Sequence, residues 1–450
     1  MVRKFGLVVI GTGAAASAVA SRCRSAGWQV AVVDSRPFGG TCALRGCDPK
    51  KVLVGAAEAV DWVRRMRGKG IRAEEIRVDW QELMRFKRSF TEPVPKMQED
   101  GFAKAGIAAF HGRARFIGPT SVQVNDDVLE GRYVVIAAGQ KPADLKIPGT
   151  ELLTTSEQFL ELDDLPKRIL FIGGGYIAFE FAHVAVRAGA QVTIIHRGPR
   201  PLPHFDPDLV DQLVKSSREL GVEVQLGTEV VSVEKSSGQL IVQASASGQK
   251  RTFDADMVVH AAGRIPEIED MNLDVGGVVW DPQGIKVNEF LQSVSNPAVY
   301  AAGDAAASGG PRLTPVASYE GIVVAANLLK GNNQKPNYLG LPTVVFAIPP
   351  LAAVGLSESE AHRQGLKFKV KQEITSDWYS SRRIAEKYSG FKVLVEEGTG
   401  RILGAHLLGS EAEEVINLFG VAIRSGMRSD DLKHMVYSYP TRSSDAPYMF

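Results

Sequence analysis

Cysteine is scarce in this chain, with three in 450 residues. Three cannot build a structural disulfide framework, and such sparing use suits a reducing compartment. Neither sign of charge is in excess: 52 lysines and arginines meet 51 acids, for a net +1. That balance gives no reason to expect a nucleic acid or a membrane surface as partner. No apolar run approaches the roughly 20 residues needed to span a bilayer. The opening Met1-Val-Arg-Lys with its Ala-rich apolar run has the order of a secretory signal, but a Gly-x-Gly inside it reads better as a buried strand and a phosphate loop. What remains is an ordinary globular composition, 44% hydrophobic and 23% charged, long enough for two to four domains. The expectation is a cytoplasmic protein with no resident metal.

Two of the three cysteines fall in one stretch, Gly39-Gly40-Thr41-Cys42-Ala43-Leu44-Arg45-Gly46-Cys47-Asp48-Pro49-Lys50-Lys51. On an ideal helix, residues five apart have Cα atoms roughly 8–9 Å from each other. A disulfide needs about 4.4–6.8 Å. Cys42 and Cys47 can therefore pair only where the helix is distorted. Gly46 relaxes the backbone just before the second cysteine, and Pro49 is tolerated in a first helical turn. Two readings fit the spacing: a pair of free buried thiols, or a strained, reducible bridge of the catalytic kind. Cys23 lies within a helical pattern and reads as a packed core cysteine.

Upstream, Gly6–Ile10 is a short apolar run suited to a strand buried on both faces. Gly11-Thr-Gly13-Ala-Ala-Ala16 follows at once and opens an Ala-rich helix. Glycines there let the backbone turn and approach a pyrophosphate at the helix N-terminus. The next strand ends at Asp34, 23 residues after Gly11, where an acid can accept a hydrogen bond from a ribose hydroxyl. The pattern recurs: Arg168–Ile172 runs into Gly173-Gly-Gly175-Tyr176-Ile-Ala178, and a further strand spans Gln191–Ile195. Here no acid follows. The sequence reads His196-Arg197-Gly-Pro-Arg200, and arginine in that place suits the 2′-phosphate of NADPH better than NADH. Residues 60–88 are rich in arginine and helical in pattern, either a solvated face or a docking surface for an acidic partner.

The motif GGTCxxxGCxPxK resembles the class I pyridine nucleotide-disulfide oxidoreductases, a family that includes glutathione reductase, dihydrolipoamide dehydrogenase and mercuric reductase. The resemblance extends over essentially the whole chain. It implies an α/β protein with two Rossmann-like dinucleotide-binding domains and a C-terminal α+β dimerisation domain. The expected segments are 1–145 for FAD with the CxxxxC pair, 146–265 for NAD(P)H, 266–338 completing the FAD domain, and 339–450 as the interface domain of a homodimer. By analogy, FAD lies on Gly11, Gly13, Ala16, Asp34, Gly40, Thr41 and Gly139, the last closing Tyr133–Gly139, which is similar to the family's ATG turn with Ala138 for threonine. Asp304, Thr314 and Ala317 would complete the flavin site. The NADPH site would use Gly173, Gly175, Tyr176, Ala178, Arg197, Arg200 and Gly263. In the family's order, Cys47 faces the flavin and Cys42 attacks the acceptor. Lys50 would lie near flavin N5 paired with Glu180, and Tyr176 would cover the flavin until nicotinamide enters.

The chain departs from the family pattern at its end. The reductases close on HPTxxE, whose histidine relays protons and whose glutamate orients it. Here Ser438-Tyr439-Pro440-Thr441-Arg442-Ser443-Ser444 puts Tyr439 on the histidine and Ser444 on the glutamate. A free phenol has a pKa near 10, so Tyr439 is expected to donate a hydrogen bond rather than act as a base. His434 could serve only if the loop differed. The arginines that hold glutathione in its reductase fall on Ser21 and Ile322, so glutathione disulfide is not the expected substrate. Arg45 and Arg442 are new cations, available to an anionic substrate or to Cys42. The expected activity is electron transfer from NADPH through FAD and Cys42–Cys47 to another small-molecule or protein disulfide. The alternatives are a metal-ion or quinone reductase of the same fold, and a flavin-bound redox sensor or assembly partner.

Overall fold

The computed structural model describes residues 2–450. Its chain forms two compact units: the chain through Lys50 with Phe86–Ala143 and Arg264–Tyr338, and Lys51–Arg85 with Asp144–Gly263 and Leu339–Phe450. Residues 51–85, inside the first expected segment, thus group with the second unit.

The first unit is built on a seven-stranded sheet. Its centre is β1 (Val2–Ile10), flanked in parallel by β2 (Val30–Asp34) and by the strand Asp127–Ile136. Leu7 and Val9 face one apolar cluster, with Ala16, Val19, Ala20 and Cys23 of helix α1 (Ala14–Ser25). Val8 and Ile10 face the other, with Val134 and Ile136. That alternation is the period-2 geometry of a strand, and both faces are covered, so the run has no polar side. Leu7, Val8, Val9 and Ile10 each stabilise the fold by about 1.5–3 kcal/mol through burial. Val2, Arg3 and Lys4, the signal-like start, are exposed residues of the same strand. Small residues let α1 and the helix Thr314–Lys330 touch: a Cβ on Gly321 would lie 2.5 Å from the Ala15 carbonyl oxygen.

A short helix and a long one follow β2. These are α2 (Gly40–Arg45) and α3 (Cys47–Met66), and Gly46 breaks the chain between them at φ −143°, ψ −115°. A Cβ there would lie 2.9 Å from the Thr41 carbonyl oxygen. The arginine-rich stretch is not one helix. α3 ends at Met66, an irregular segment follows, and helix resumes at Trp80 and runs to Thr91. Its cations are partly committed, with Arg65 bound to Asp61 at 2.7 Å.

The second unit repeats the dinucleotide-binding plan. A five-stranded parallel sheet is centred on β3 (Arg168–Ile172), which pairs with β4 (Gln191–Ile195) and with Met257–His260. Helix α4 (Tyr176–Arg187) connects β3 to β4. From Thr343 a five-stranded antiparallel sheet forms, with the helix Ala412–Arg424 packed on it through Val415, Ile416 and Phe419. One buried cation ties the two halves of this unit. Lys392 Nζ meets Asp206 at 2.7 Å, Asp208 at 2.6 Å and Glu358 at 3.3 Å. Burial opposes its charge, but the two aspartates outweigh burial and raise its pKa. Among the described residues no helix is long and apolar enough to cross a membrane.

His183 of α4 is fully buried. Its Nδ1 accepts from the Ile348 amide at 3.0 Å, so Nε2 carries the proton and donates to Ser217 Oγ at 2.9 Å. Burial, then the neighbouring Arg187 charge, holds its pKa well below the usual value. Below about pH 6.5 the unfolded chain binds a proton there that the folded chain refuses, so stability is lost as pH falls. Denaturant unfolding at pH 7.5 and pH 5 is expected to show this loss, at up to about 1.4 kcal/mol per pH unit. His183→Gln, which keeps an acceptor for Ile348, should flatten that slope.

Candidate active site

The first unit contains a cleft of about 330 Å³. Its floor is the first glycine loop. Gly11 has φ +114°, and a Cβ there would lie 2.3 Å from the Ala137 carbonyl oxygen. Gly13 precedes α1 with no side-chain cap, so the first amides of the helix are free to meet an anion. Asp34 lies on the wall. Its Oδ2 accepts from the Thr12 amide at 3.0 Å and the Thr12 hydroxyl at 2.7 Å, and its Oδ1 accepts from the Arg36 amide at 3.0 Å. Two acceptor lone pairs per oxygen leave room for a ribose hydroxyl as well. Ala16 is buried behind the loop, while Gly40, Thr41, Gly139, Asp304, Thr314 and Ala317 all line the cleft.

The CxxxxC stretch enters this cleft through a backbone contact. Gly40 has φ +74°, and a Cβ there would fall 2.4 Å from the Gly13 Cα. α2 can therefore start directly on the glycine loop, and both Cys42 and Cys47 line the same cleft. All three cysteines are free thiols. Cys47 heads α3 and lies 3.4 Å from the Thr314 hydroxyl. The Cys42 thiol donates to Asp48 Oδ1 over 3.8 Å. The pKa of Cys42 is driven up, first by its hydrogen bond with Cys47, then by burial and by the charges of Cys47 and Asp48; Thr314 opposes these. Cys23 belongs to the core of α1, where burial alone pushes it to about 12. A thiol so protonated is inert.

Asp304 is set by a residue the sequence reading passed over. Glu320 is buried in the apolar helix Thr314–Lys330, and its Oε2 accepts from the Gly303 amide at 2.7 Å. Its Oε1 accepts from the Tyr338 hydroxyl at 2.6 Å. An acid inside an otherwise apolar run was the available signal. Burial raises the Asp304 carboxyl, against the pull of Arg312 and Arg264.

The second unit holds the other candidate residues. A Cβ on Gly173 would lie 2.3 Å from the Ala261 carbonyl oxygen, and Gly263 has φ +118°. Gly175 precedes α4 uncapped, and Ala178 is buried. The His196 ring lies under the loop, where a Cβ on Gly174 would meet it at 2.8 Å. The two arginines differ. Arg200 has its guanidinium fork on Asp211, at 3.0 and 3.1 Å. Arg197 is exposed and among the described residues has no ion-pair partner. Tyr176 bonds the Thr343 hydroxyl at 2.8 Å. Glu180 is buried and accepts from the Phe346 amide at 2.9 Å. Lys50, in the first unit, is also buried.

At the chain's end, Tyr439 is 81% exposed. Ser444 turns back on Thr441, donating to its carbonyl at 2.5 Å. His434 is exposed and bonds the Asp430 carbonyl of its own helix at 2.9 Å. Arg442 corrects one expectation, since it is not available to a substrate. It is buried, ion-paired with Glu386 and bound to Ser381 Oγ at 2.9 Å. A charge inside the protein needs such a partner. Arg45 does line the cleft.

The first cleft suits an FAD. It combines an uncapped helix start for a pyrophosphate, an acid at the end of β2 for a ribose, and glycines where any side chain would block the approach. Gly40→Ala is expected to lose flavin, because left-handed backbone alone costs about 1–3 kcal/mol in a non-glycine residue. At about 1.4 kcal/mol per decade that is roughly a 5- to 100-fold loss of affinity, read as flavin absorbance retained after gel filtration. Gly101→Ala, with nothing within 4 Å of its Cβ, should retain it.

Comparison with known proteins agrees with this geometry. The family model described as pyridine nucleotide-disulphide oxidoreductase matches residues 5–321, and that of its dimerisation domain matches residues 341–448. The glutathione reductase of Burkholderia cepacia is 31% identical, covering 98% of this chain and 97% of its own. The mercuric reductase of Staphylococcus aureus is 31% identical, covering 97% of this chain and 80% of its own. A Cu(II) complex of the HOCl-induced flavoprotein disulfide reductase RclA from Escherichia coli superposes with a TM-score of 0.89, at 25% identity and 99% coverage of both chains. The chain belongs to the class I pyridine nucleotide-disulfide oxidoreductases, flavoenzymes that work with FAD and a nicotinamide dinucleotide.

Proposed function

We propose that this protein is a homodimeric NADPH-dependent disulfide reductase whose acceptor is not glutathione disulfide. The observation that carries this reading is the pair Cys42–Cys47, split by the break at Gly46 and lining the cleft that suits FAD. FAD, when bound, supplies the two-electron relay between nicotinamide and the cysteine pair. The roles proposed for the protein groups are those the family resemblance implies. Cys47, beside Thr314, is the thiol on the flavin side, and Cys42 is the one that meets the acceptor. Lys50 serves as the buried cation of the flavin site. Tyr439, exposed in one chain, donates a hydrogen bond to the acceptor. Arg197 is the cation for the 2′-phosphate, since Arg200 is committed to Asp211.

The acceptor is a low-molecular-weight or protein disulfide. Ser21 and Ile322 offer no charge to the carboxylates of glutathione. A second reading is a metal ion as acceptor, favoured by the likeness to a mercuric reductase and to a reductase solved as a Cu(II) complex. Reaction with quinones, or a redox-sensor role with weak turnover, would show as activity with quinones alone or with no acceptor in a panel.

The reading is tested by anaerobic titration with NADPH. One two-electron equivalent should produce the long-wavelength absorbance of a thiolate beside the flavin, and Cys47→Ser should abolish it. Flavin bleaching without that band, and with no further electrons taken up, would mean the cysteines are idle. Arg197→Ala is expected to raise KM for NADPH about tenfold or more, the scale of one lost charged hydrogen bond. KM for NADH should hardly change, and equal effects on both would remove Arg197 from the phosphate site.

A further inference from the structure

The loss of the family's histidine and glutamate leaves Cys42 without the usual proton partner. The groups at the chain's end do not supply one. Ser444 is turned onto Thr441, His434 onto its own helix, and Asp445 is bonded by Ser380. In the structure the side chain that meets the Cys42 thiol as acceptor is Asp48, over 3.8 Å. Asp48 is the second residue of α3, next to Cys47, and is exposed. Water can therefore return or remove its proton. The Thr314 hydroxyl lies 3.4 Å from Cys47, and Cys47 and Thr314 both act on Cys42 as well.

We infer that Asp48 is the acid–base residue of Cys42, replacing within one chain the relay that the family draws from its C-terminal histidine. This rests on the disulfide-reductase reading above. At rest the Asp48 carboxylate accepts the hydrogen bond of the Cys42 thiol. It takes the proton as Cys42 attacks. In that step the Cys42 Sγ bonds one sulfur of an acceptor RS–SR′ and the RS–SR′ bond breaks. The Cys42 proton passes to Asp48 and from there to the departing R′S⁻. Cys47 Sγ then attacks Cys42 Sγ and forms the Cys42–Cys47 bond, and RS⁻ leaves with the proton that Cys47 loses. Two thiols are oxidised, and one disulfide is reduced to two thiols. The charge of Asp48 also restrains Cys42 between turnovers, since it disfavours the free thiolate. The other groups acting on Cys42 are Cys47 and Thr314, and the charged side chains Arg45, Asp304 and Arg312 line the same cleft.

The test uses the full-length, FAD-loaded enzyme with two probe disulfides. Hydroxyethyl disulfide releases a basic alkyl thiolate that must be protonated, whereas dithiobis(nitrobenzoate) releases an acidic aryl thiolate that need not be. Asp48→Asn is expected to lower kcat with hydroxyethyl disulfide about 100-fold, the lower range for a lost general acid–base, and with the aryl disulfide only slightly. Asp48→Glu should recover part of the loss. Alkylation of the NADPH-reduced enzyme by iodoacetamide should move the other way: removal of the acid shifts the Cys42 pH profile to lower pH. Equal losses with both disulfides, or no loss, would overturn the assignment. So would a loss confined to Tyr439→Phe. If the wild type reduces neither probe, the disulfide reading fails by itself. The alkylation profile then decides on Asp48 alone, and an unshifted profile in Asp48→Asn rejects its coupling to Cys42.

Discussion

The first unit depends on one contact between two atoms that carry no side chain. Gly40 lies so close to Gly13 that a single methyl group would come within 2.4 Å of its Cα. This contact sets the start of α2 on the loop that opens α1. From there the chain has six residues before Gly46 interrupts it, and the two cysteines fall on either side of the interruption. A continuous helix would hold their Cα atoms too far apart to bond. The placement of Cys42 and Cys47 is thus a consequence of two glycines, one that permits a close approach and one that permits a break.

The glycine loops of the two units solve the same problem in the same way. Each ends a parallel strand and turns under a carbonyl oxygen of the neighbouring strand's end, Ala137 in one and Ala261 in the other, with 2.3 Å available where a Cβ would be in both. Where the loops differ, the difference lies in the next strand. β2 ends in an acid held by the loop itself through Thr12, while β4 runs into His196 and an unpaired Arg197. An acid and a cation at equivalent places suit different nucleotides, a free ribose in the first case and a phosphorylated one in the second.

Charge in the interior follows a strict rule of pairing. Lys392 is held among three acids, Arg442 against Glu386, and Glu320 against an amide and a phenol. Burial of any of these groups alone would cost several kcal/mol. The carboxylate at the cysteine stretch is different, because Asp48 is exposed and needs no buried partner. It stands beside the Cys42 thiol, an arrangement that restrains the thiol at rest and becomes useful when a proton must move.

Much of this was legible in the residues. Apolar runs with Gly-x-Gly at their ends specify strand, tight turn and helix whatever surrounds them, because local sterics and hydrogen bonding decide those states. The spacing of Cys42 and Cys47, with Gly46 and Pro49, already required a helix break. The residues after β4 already lacked an acid. Tertiary structure decided what depends on distant neighbours. Arg442 and Arg200 read as free cations, yet each found a carboxylate 56 or 11 residues away in the chain. Glu320 lies in an apolar helix, and only packing brings Gly303 and Tyr338 within its reach. Asp48 stands next to Cys47 in the chain, and the first turn of α3 brings its carboxylate to Cys42. Sequence fixes which groups are available and how the backbone can bend beside them. Which charge meets which is set by packing, because Coulomb and hydrogen-bond energies depend on distances that chain order does not contain.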